Sequence, residues 1–194
     1  AVNNGLLFYT RNGPGIFFYD GVACQMISAK IQPTITGFDE DASTGMVAAI
    51  HPPLNQYWLG IRNAASTEND RMIVYDYVNN AFSIHTGIEA SFMNTISKSS
   101  VFKLYTGDYS GYVLEQDSGN TDALDGTTGQ TINSTIQTAW FPLGNPAMFK
   151  SLQHLFIYHS LAGDFNMSAA YSFDFEDSDR FIETINMGVG GALW

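Results

Sequence analysis

The chain has 194 residues, of which 45% are hydrophobic and only 14% charged, a balance that excludes an intrinsically disordered protein and gives one or two domains enough apolar material for a core. Eight basic residues stand against nineteen acidic ones, for a net charge of −11. That excludes a nucleic-acid-binding surface, which needs a basic patch to displace counterions.

Fourteen Phe, ten Tyr and eighteen Gly favour β structure, and no stretch shows a convincing amphipathic helical pattern. Cys24 stands alone, so the chain has no intrachain disulfide and no cysteine-type zinc site, in keeping with a reducing compartment. No signal peptide and no apolar run of bilayer-spanning length is present. The chain opens on Ala1 directly before a strand-like run and stops on an apolar Gly-Ala-Leu-Trp. Both ends predict that these residues are a fragment of a longer polypeptide.

In chain order, Leu6–Thr10 reads as a strand, and Arg11–Gly15 as a turn rich in breakers. Ile16–Tyr19 is a second strand, Asp20-Gly21 a tight turn, and Val22–Ile27 a third strand. Lys30–Pro33 then leads into a linker holding Phe38 and the acidic Asp39-Glu40-Asp41.

The next stretch organises the chain. Val47–His51, Gln56–Ile61, Arg71–Tyr77 and Ala81–His85 are each rich in β-branched or aromatic residues, and they are separated by Pro52–Asn55, Asn63–Asp70 and Val78–Asn80. Short links make successive strands antiparallel. Four such strands in about 40 residues is the size of one β-propeller blade. Phe17–Gly21 aligns with Ile73–Tyr77, and Tyr112–Asp117 is a looser echo, as in imperfect repeats.

Val101–Thr106 and Tyr112–Gln116 supply two more strands around Gly107–Gly111. Asp117–Gln130 is the most breaker-rich segment and marks the domain boundary, giving blades over 1–122 and an antiparallel sheet region over 123–194. Beyond it the pattern predicts strands over Thr131–Phe141, Phe149–Leu161, Asn166–Phe175 and Phe181–Met187. Met167, Ala169, Tyr171, Phe173 and Phe175 alternate with small or polar residues, a period of two with one buried face. The fold class read from this is all-β, partial propeller blades followed by a sandwich-like antiparallel sheet.

Chemistry-bearing motifs are scarce. There is no Gly-x-Ser-x-Gly elbow, no phosphate-binding glycine loop, and no family context around Cys24. His154 and His159 are five apart in one predicted strand, so they point to opposite faces and share no metal. His51 and His85 lie at opposite ends of the blade. Asp117, Asp122 and Asp125 could gather round calcium, but their spacing fails the EF-hand loop and Asp favours turns on its own account. Asp39–Asp41 and Glu176–Asp179 read as solvated loops. Of the adjacent Tyr57 and Trp58, Trp58 is expected in the core, although exposed aromatics among Tyr75, Tyr77, Tyr105, Tyr109, Tyr112 and Trp140 would suit a sugar-binding platform. No catalytic, metal or cofactor-binding residue is assigned, and no enzyme activity is expected.

The order Ile50–Leu59, a polar loop, Arg71–Tyr77 and the turn Asn80-Ala81-Phe82-Ser83 resembles β-propeller virion proteins of tailed bacteriophages, among them the DNA-stabilisation and tail-nozzle types. Gly15–Gly21 with Ile27–Ile31, Thr106–Val113 and Leu143–Pro146 fit the same pattern, so the resemblance covers roughly residues 5–160. Such proteins often carry basic residues after the last motif, where this chain has only Lys150. The resemblance implies a structural subunit of the virion, assembled in the host cytoplasm, that forms or extends the DNA exit channel. The implied partners are other copies of itself and neighbouring tail or portal-proximal proteins, with transient, repulsive contact with passing DNA and no membrane. The rival reading is a glycan-binding or glycan-degrading propeller or sandwich used in host recognition.

Overall fold

A computed structural model of the chain describes residues 5–11, 13, 15–38, 45–119, 121–122, 129–138, 140–141, 144, 148, 151, 154, 156–158, 166–172 and 181–186. The fold is all-β, built from separate antiparallel sheets, and none of the described sheets closes on itself. Two compact units divide the chain at Ile132/Asn133.

The first unit holds three sheets whose strands pair in chain order. Sheet 1 is β1 (Leu6–Thr10), β2 (Gly15–Tyr19) and β3 (Cys24–Met26). The third strand is shorter than the sequence predicts. Asp20 Oδ1 accepts the N–H groups of Val22 at 2.8 Å and Ala23 at 2.7 Å, drawing both residues into the turn. After β3 come a 3₁₀ turn, Ser28–Ile31, and a single helical turn, α1 (Gln32–Ile35). Composition hides so short a helix, because one turn shows no periodicity.

Sheet 2 is β4 (Val47–His51), β5 (Gln56–Ile61), β6 (Arg71–Asp76) and β7 (Ala81–Thr86). Its register sets Ala49, Trp58, Val74 and Ser83 side by side, and Ile50, Tyr57, Tyr75 and Phe82 on the opposite face. Sheet 3 is β8 (Phe92–Lys98), β9 (Val101–Gly107) and β10 (Val113–Glu115). Sequence reading passes over β8, since Phe92–Lys98 mixes Asn, Thr, Ser and Lys with only three large apolar residues. Ser99 and Ser100, both at positive φ (53° and 64°), make the two-residue link to β9.

The three sheets stack face to face. One core packs Tyr57, Leu59, Ile61, Ile73 and Tyr75 of sheet 2 against Leu7 and Ile16 of sheet 1, with Ile35 of the helical turn between them. The other packs Trp58, Met72 and Val74 from the opposite face of sheet 2 against Met93 and Leu104 of sheet 3. Sheet 2 is therefore covered on both sides, which explains why the adjacent Tyr57 and Trp58 are both buried although they point apart. Each large side chain so buried contributes about 1.5–3 kcal/mol.

Strand directions agree between sheets 2 and 3. Gly45 and Ala90, just ahead of β4 and β8, meet at one end through Asn69, and His51 and Asp117, at the far ends of β4 and β10, meet at the other. β10 thus runs as β6 does, matching the echo between Tyr112–Asp117 and the β6 stretch. β2 is instead the middle strand of its sheet, so its alignment with β6 joins strands at different places in their sheets.

A small hairpin, β11 (Thr121–Asp122) with β12 (Gln130–Thr131), follows. In the second unit the described strands are β13 (Asn166–Tyr171) and β14 (Phe181–Asn186), paired antiparallel. Met167, Ala169 and Tyr171 are half-buried and alternate with exposed residues, the predicted period of two. The predicted strand over Thr131–Phe141 is not found beyond Thr131, which ends β12: the described residues 132–138 and 140–141 lie in no strand. Likewise residues 151, 154 and 156–158 lie in no strand. Alternation specifies an extended chain, whereas a strand also needs a partner. Phe173, Phe175, Glu176, Asp177, Ser178, Asp179 and Met187 lie outside the described residues, as do Asp39, Glu40 and Asp41.

Candidate functional site

The residues with chemical potential gather where sheet 3 meets sheet 2. Trp58, 2% exposed, donates its Nε1–H to Gln56 Oε1 at 2.9 Å. Its ring lies between two histidines: His85 meets it edge-on at 5.3 Å between centroids, and His51 stands at 6.4 Å. The two histidines predicted at opposite ends of the blade thus flank one indole.

Asp117, held in the left-handed region at φ 54°, brings a carboxylate from the end of sheet 3 to within 3.0 Å of His51 Nδ1. Despite this approach Nδ1 finds no hydrogen-bond partner, so the contact is close without being an aligned hydrogen bond. His85 shares a 3.2 Å hydrogen bond with Ser83 Oγ, the donor depending on its tautomer. Burial lowers the His85 pKa from its usual value, and the nearby Asp117 charge opposes that shift.

A Ser–His pair beside an Asp invites comparison with hydrolytic triads. Such a triad needs the carboxylate on the imidazole that serves the nucleophile. Here Asp117 approaches His51, while Ser83 is bonded to His85. Asp117 serves the seam between the sheets. Asp122 lies in β11 with its side chain undescribed, and Asp125 lies outside the described residues, so the calcium loop is not assembled from described atoms. Among the described residues no three His, Cys, Asp or Glu side chains are placed to hold a metal. His154 sits in no strand, which removes the parity argument about it, and His159 lies outside the described residues. Cys24 is exposed on β3.

A second seam was not legible in the sequence. Asn69, 2% exposed, donates through Nδ2 to the carbonyls of Gly45 and Ala90, both at 2.7 Å, and its backbone N–H donates to Tyr109 Oη at 3.2 Å. One loop residue of sheet 2 thereby holds the entry to sheet 2, the entry to sheet 3 and the β9–β10 turn. Thr95 Oγ1 adds a further link by donating to the Ile50 carbonyl. Asn in a Ser-Thr-Glu-Asn-Asp loop reads as ordinary turn chemistry, so nothing in the sequence marks Asn69 as buried.

The acidic turns are spoken for locally. Asp76 accepts the N–H groups of Val78 and Asn79, each at 2.9 Å, and Asp108 those of Ser110 and Tyr112. The backbone hydrogen bonds hold the Asp20 and Asp76 carboxyls below their usual pKa. On the outward face of sheet 3, Glu115 takes Lys103 Nζ at 2.6 Å and Tyr105 Oη at 3.0 Å, which lowers the Glu115 pKa and raises that of Lys103. An open groove of about 350 Å³ between β1 and β4 is lined mainly by apolar side chains, including Leu7, Met46 and Leu59. Among the described residues no helix is long and apolar enough to cross a membrane.

The assembled features are therefore sheet-to-sheet seams and outward sheet faces. Compared with protein-family models, with curated proteins and with solved structures, the chain finds no match.

Proposed function

We propose that the chain is a structural subunit of a tailed-phage virion, of the tail-nozzle type, and that its sheets are consecutive blades of a β-propeller. The observation that carries this reading is the stack itself: three antiparallel sheets follow one another in chain order, face on face, with sheets 2 and 3 further joined by buried Asn69 and by the His51–Asp117 contact. The middle sheet, Val47–Thr86, contains Ile50–Ser83, the central stretch of the resemblance to phage propellers. Rigid wedges of this kind suit packing in a ring. A wall with net charge −11 per chain repels DNA and lets it slide. The test is immunogold labelling of purified virions that encode the chain. Gold at the tail tip is the expected result; unlabelled particles, or gold on the capsid, sink the reading.

One observation favours glycan binding as a second reading. Tyr109 and Tyr112 are exposed just after Asp108 in a single turn, rings close in sequence to an acid. Binding on a glycan array that disappears in Tyr112→Ala would establish this reading over the first.

A further inference from the structure

Sheet 1 is one strand short of sheet 2, and the shortfall lies at one edge. Asp20 shapes the turn after β2 as Asp76 shapes the turn after β6. Each follows a tyrosine, and each Oδ1 accepts the backbone N–H groups two and three residues on, at 2.7 to 2.9 Å. Tyr19 and Tyr75 then match, and the registers carry the match sideways. Leu6 beside Tyr19 answers to Tyr57 beside Tyr75, so β1, β2 and β3 correspond to β5, β6 and β7. β4 has no counterpart in sheet 1. β1 is left as the edge strand, with the N–H and C=O groups of alternate residues turned away from β2.

The place of the missing strand is open. On the side of sheet 3, Val47 and Ala49 of β4 pack into the shared core, and Thr95 of β8 bonds the Ile50 carbonyl. On the side of sheet 1, Ala48 is exposed, although its register partner Leu59 is buried. The groove of about 350 Å³ lies here, walled by Leu7, Phe8 and Tyr9 of β1 and by Val47 and Ala48 of β4. Consecutive residues of both strands line it, as along a strand edge, whereas a sheet face offers alternate ones. Tyr57 lines the groove from β5 and is only 6% exposed, yet its hydroxyl finds no hydrogen-bond partner among the described residues. A buried hydroxyl of this kind costs stability until a partner arrives.

We propose that the edge of β1 takes up an extended strand of another polypeptide, antiparallel to β1 as β4 is to β5, with small apolar side chains over Ala48 and a backbone carbonyl for the Tyr57 hydroxyl. Strand addition suits an edge whose unpaired groups are main-chain ones, and alternate side chains then set its specificity. The chemistry of the occupant follows from β4, whose Val-Ala-Ala-Ile fills the corresponding place in sheet 2. Every described strand already belongs to a sheet, which makes a separate chain the donor. The inference rests on the sheets being repeated blades and not on the virion, so unlabelled particles would leave it standing.

The probe is a fluorescent peptide copying residues 46–51, titrated into the 194-residue chain and followed by anisotropy. Saturable binding is expected. N-methylation of the peptide's alternate amides should abolish it in one parity and spare it in the other, because only one edge of the peptide pairs with β1. Ala48→Trp should weaken binding at least about tenfold by filling the place; near-ultraviolet circular dichroism checks its fold, and Ala48→Arg replaces it if that fails. Tyr57→Phe separates binding from folding. Without peptide it should be at least as stable as the unaltered chain, since the lost hydroxyl had no partner, yet it should bind the peptide several-fold more weakly. Equal affinity would overturn the hydroxyl's part. A chain that binds no peptide up to about 1 mM, its own residues filling the place included, overturns the inference. Binding that Ala48→Trp leaves intact, or that survives methylation in both parities, puts the peptide elsewhere and overturns it as well.

Discussion

Asn69 serves three segments with one side chain and one backbone N–H. Replacing it with Ala leaves two carbonyls without their buried donor, which should cost about 2–3 kcal/mol and lower the urea midpoint without changing the slope. Asn69→Asp is the sharper test. It sets a carboxylate oxygen against two carbonyl oxygens, so it should destabilise more than Ala at neutral pH and recover part of the loss on acidification. Equal losses for Asp and Ala at every pH would remove the seam from the account. His85 gives a prediction of its own. Burial lowers its folded-state pKa, so the unfolded chain binds the proton more readily, and its contribution to stability is full above the unfolded value of about 6.5 and declines as pH falls through the folded one. Thermal midpoints measured from about pH 7.5 down to about pH 5.5 should fall, and should fall less steeply in His85→Gln. A His85→Gln curve parallel to that of the unaltered chain would remove His85 as a source of the slope.

At the scale of elements, Gly60 makes room within sheet 2 for its register partner Val47. A Cβ there would sit 2.8 Å from Val47 Cγ2, with Met72 Cε at 3.5 Å and Ala90 Cβ at 3.7 Å. Gly60→Ala should therefore cost about 1–3 kcal/mol through overpacking. Adding Val47→Ala should return part of it, giving a coupling energy of about 1 kcal/mol in a double-mutant cycle; strictly additive effects would show that the crowding lies elsewhere. The same scale shows what sequence could reveal. β4 to β7 were legible within a residue or so because β-branched and aromatic runs alternate with Pro- and Asn-rich breaks. Trp58 was legible as core from its size and setting. β8 was not, because its outward residues mix lysine and asparagine with isoleucine, a face neither clearly wet nor clearly dry. The segment at 132–138 failed in the opposite way: Thr, Ile and Gln suit a strand, but no described neighbour pairs with it. The candidate seams were the least legible of all. Pleat parity places His51 and His85 on one face of sheet 2, but no local pattern announces that Asp117, far along the chain, comes to lie 3.0 Å from His51.

For the whole molecule, charge is the property that reads directly from composition. Nineteen acidic side chains against eight basic ones predict no saturable binding to duplex DNA in a fluorescence-anisotropy titration, even at low salt. A binding curve that weakens steeply with added salt would expose a concealed basic track and defeat the sliding wall. The pairing of strands in chain order has a different consequence, which concerns time. No strand of the three stacked sheets waits for a hydrogen-bonding partner more than one strand away in sequence. Loop closure is cheap at every step, so each sheet can form as soon as its last strand leaves the ribosome. Sheet 2 completes its ladder at Thr86, whereas the residues that cover Trp58, Met72 and Val74 begin at Ala90 and extend to Leu104. During synthesis, then, a finished sheet displays one bare greasy face for as long as the ribosome takes to add those residues. A pause in translation at that point would leave this face open to the wrong neighbour.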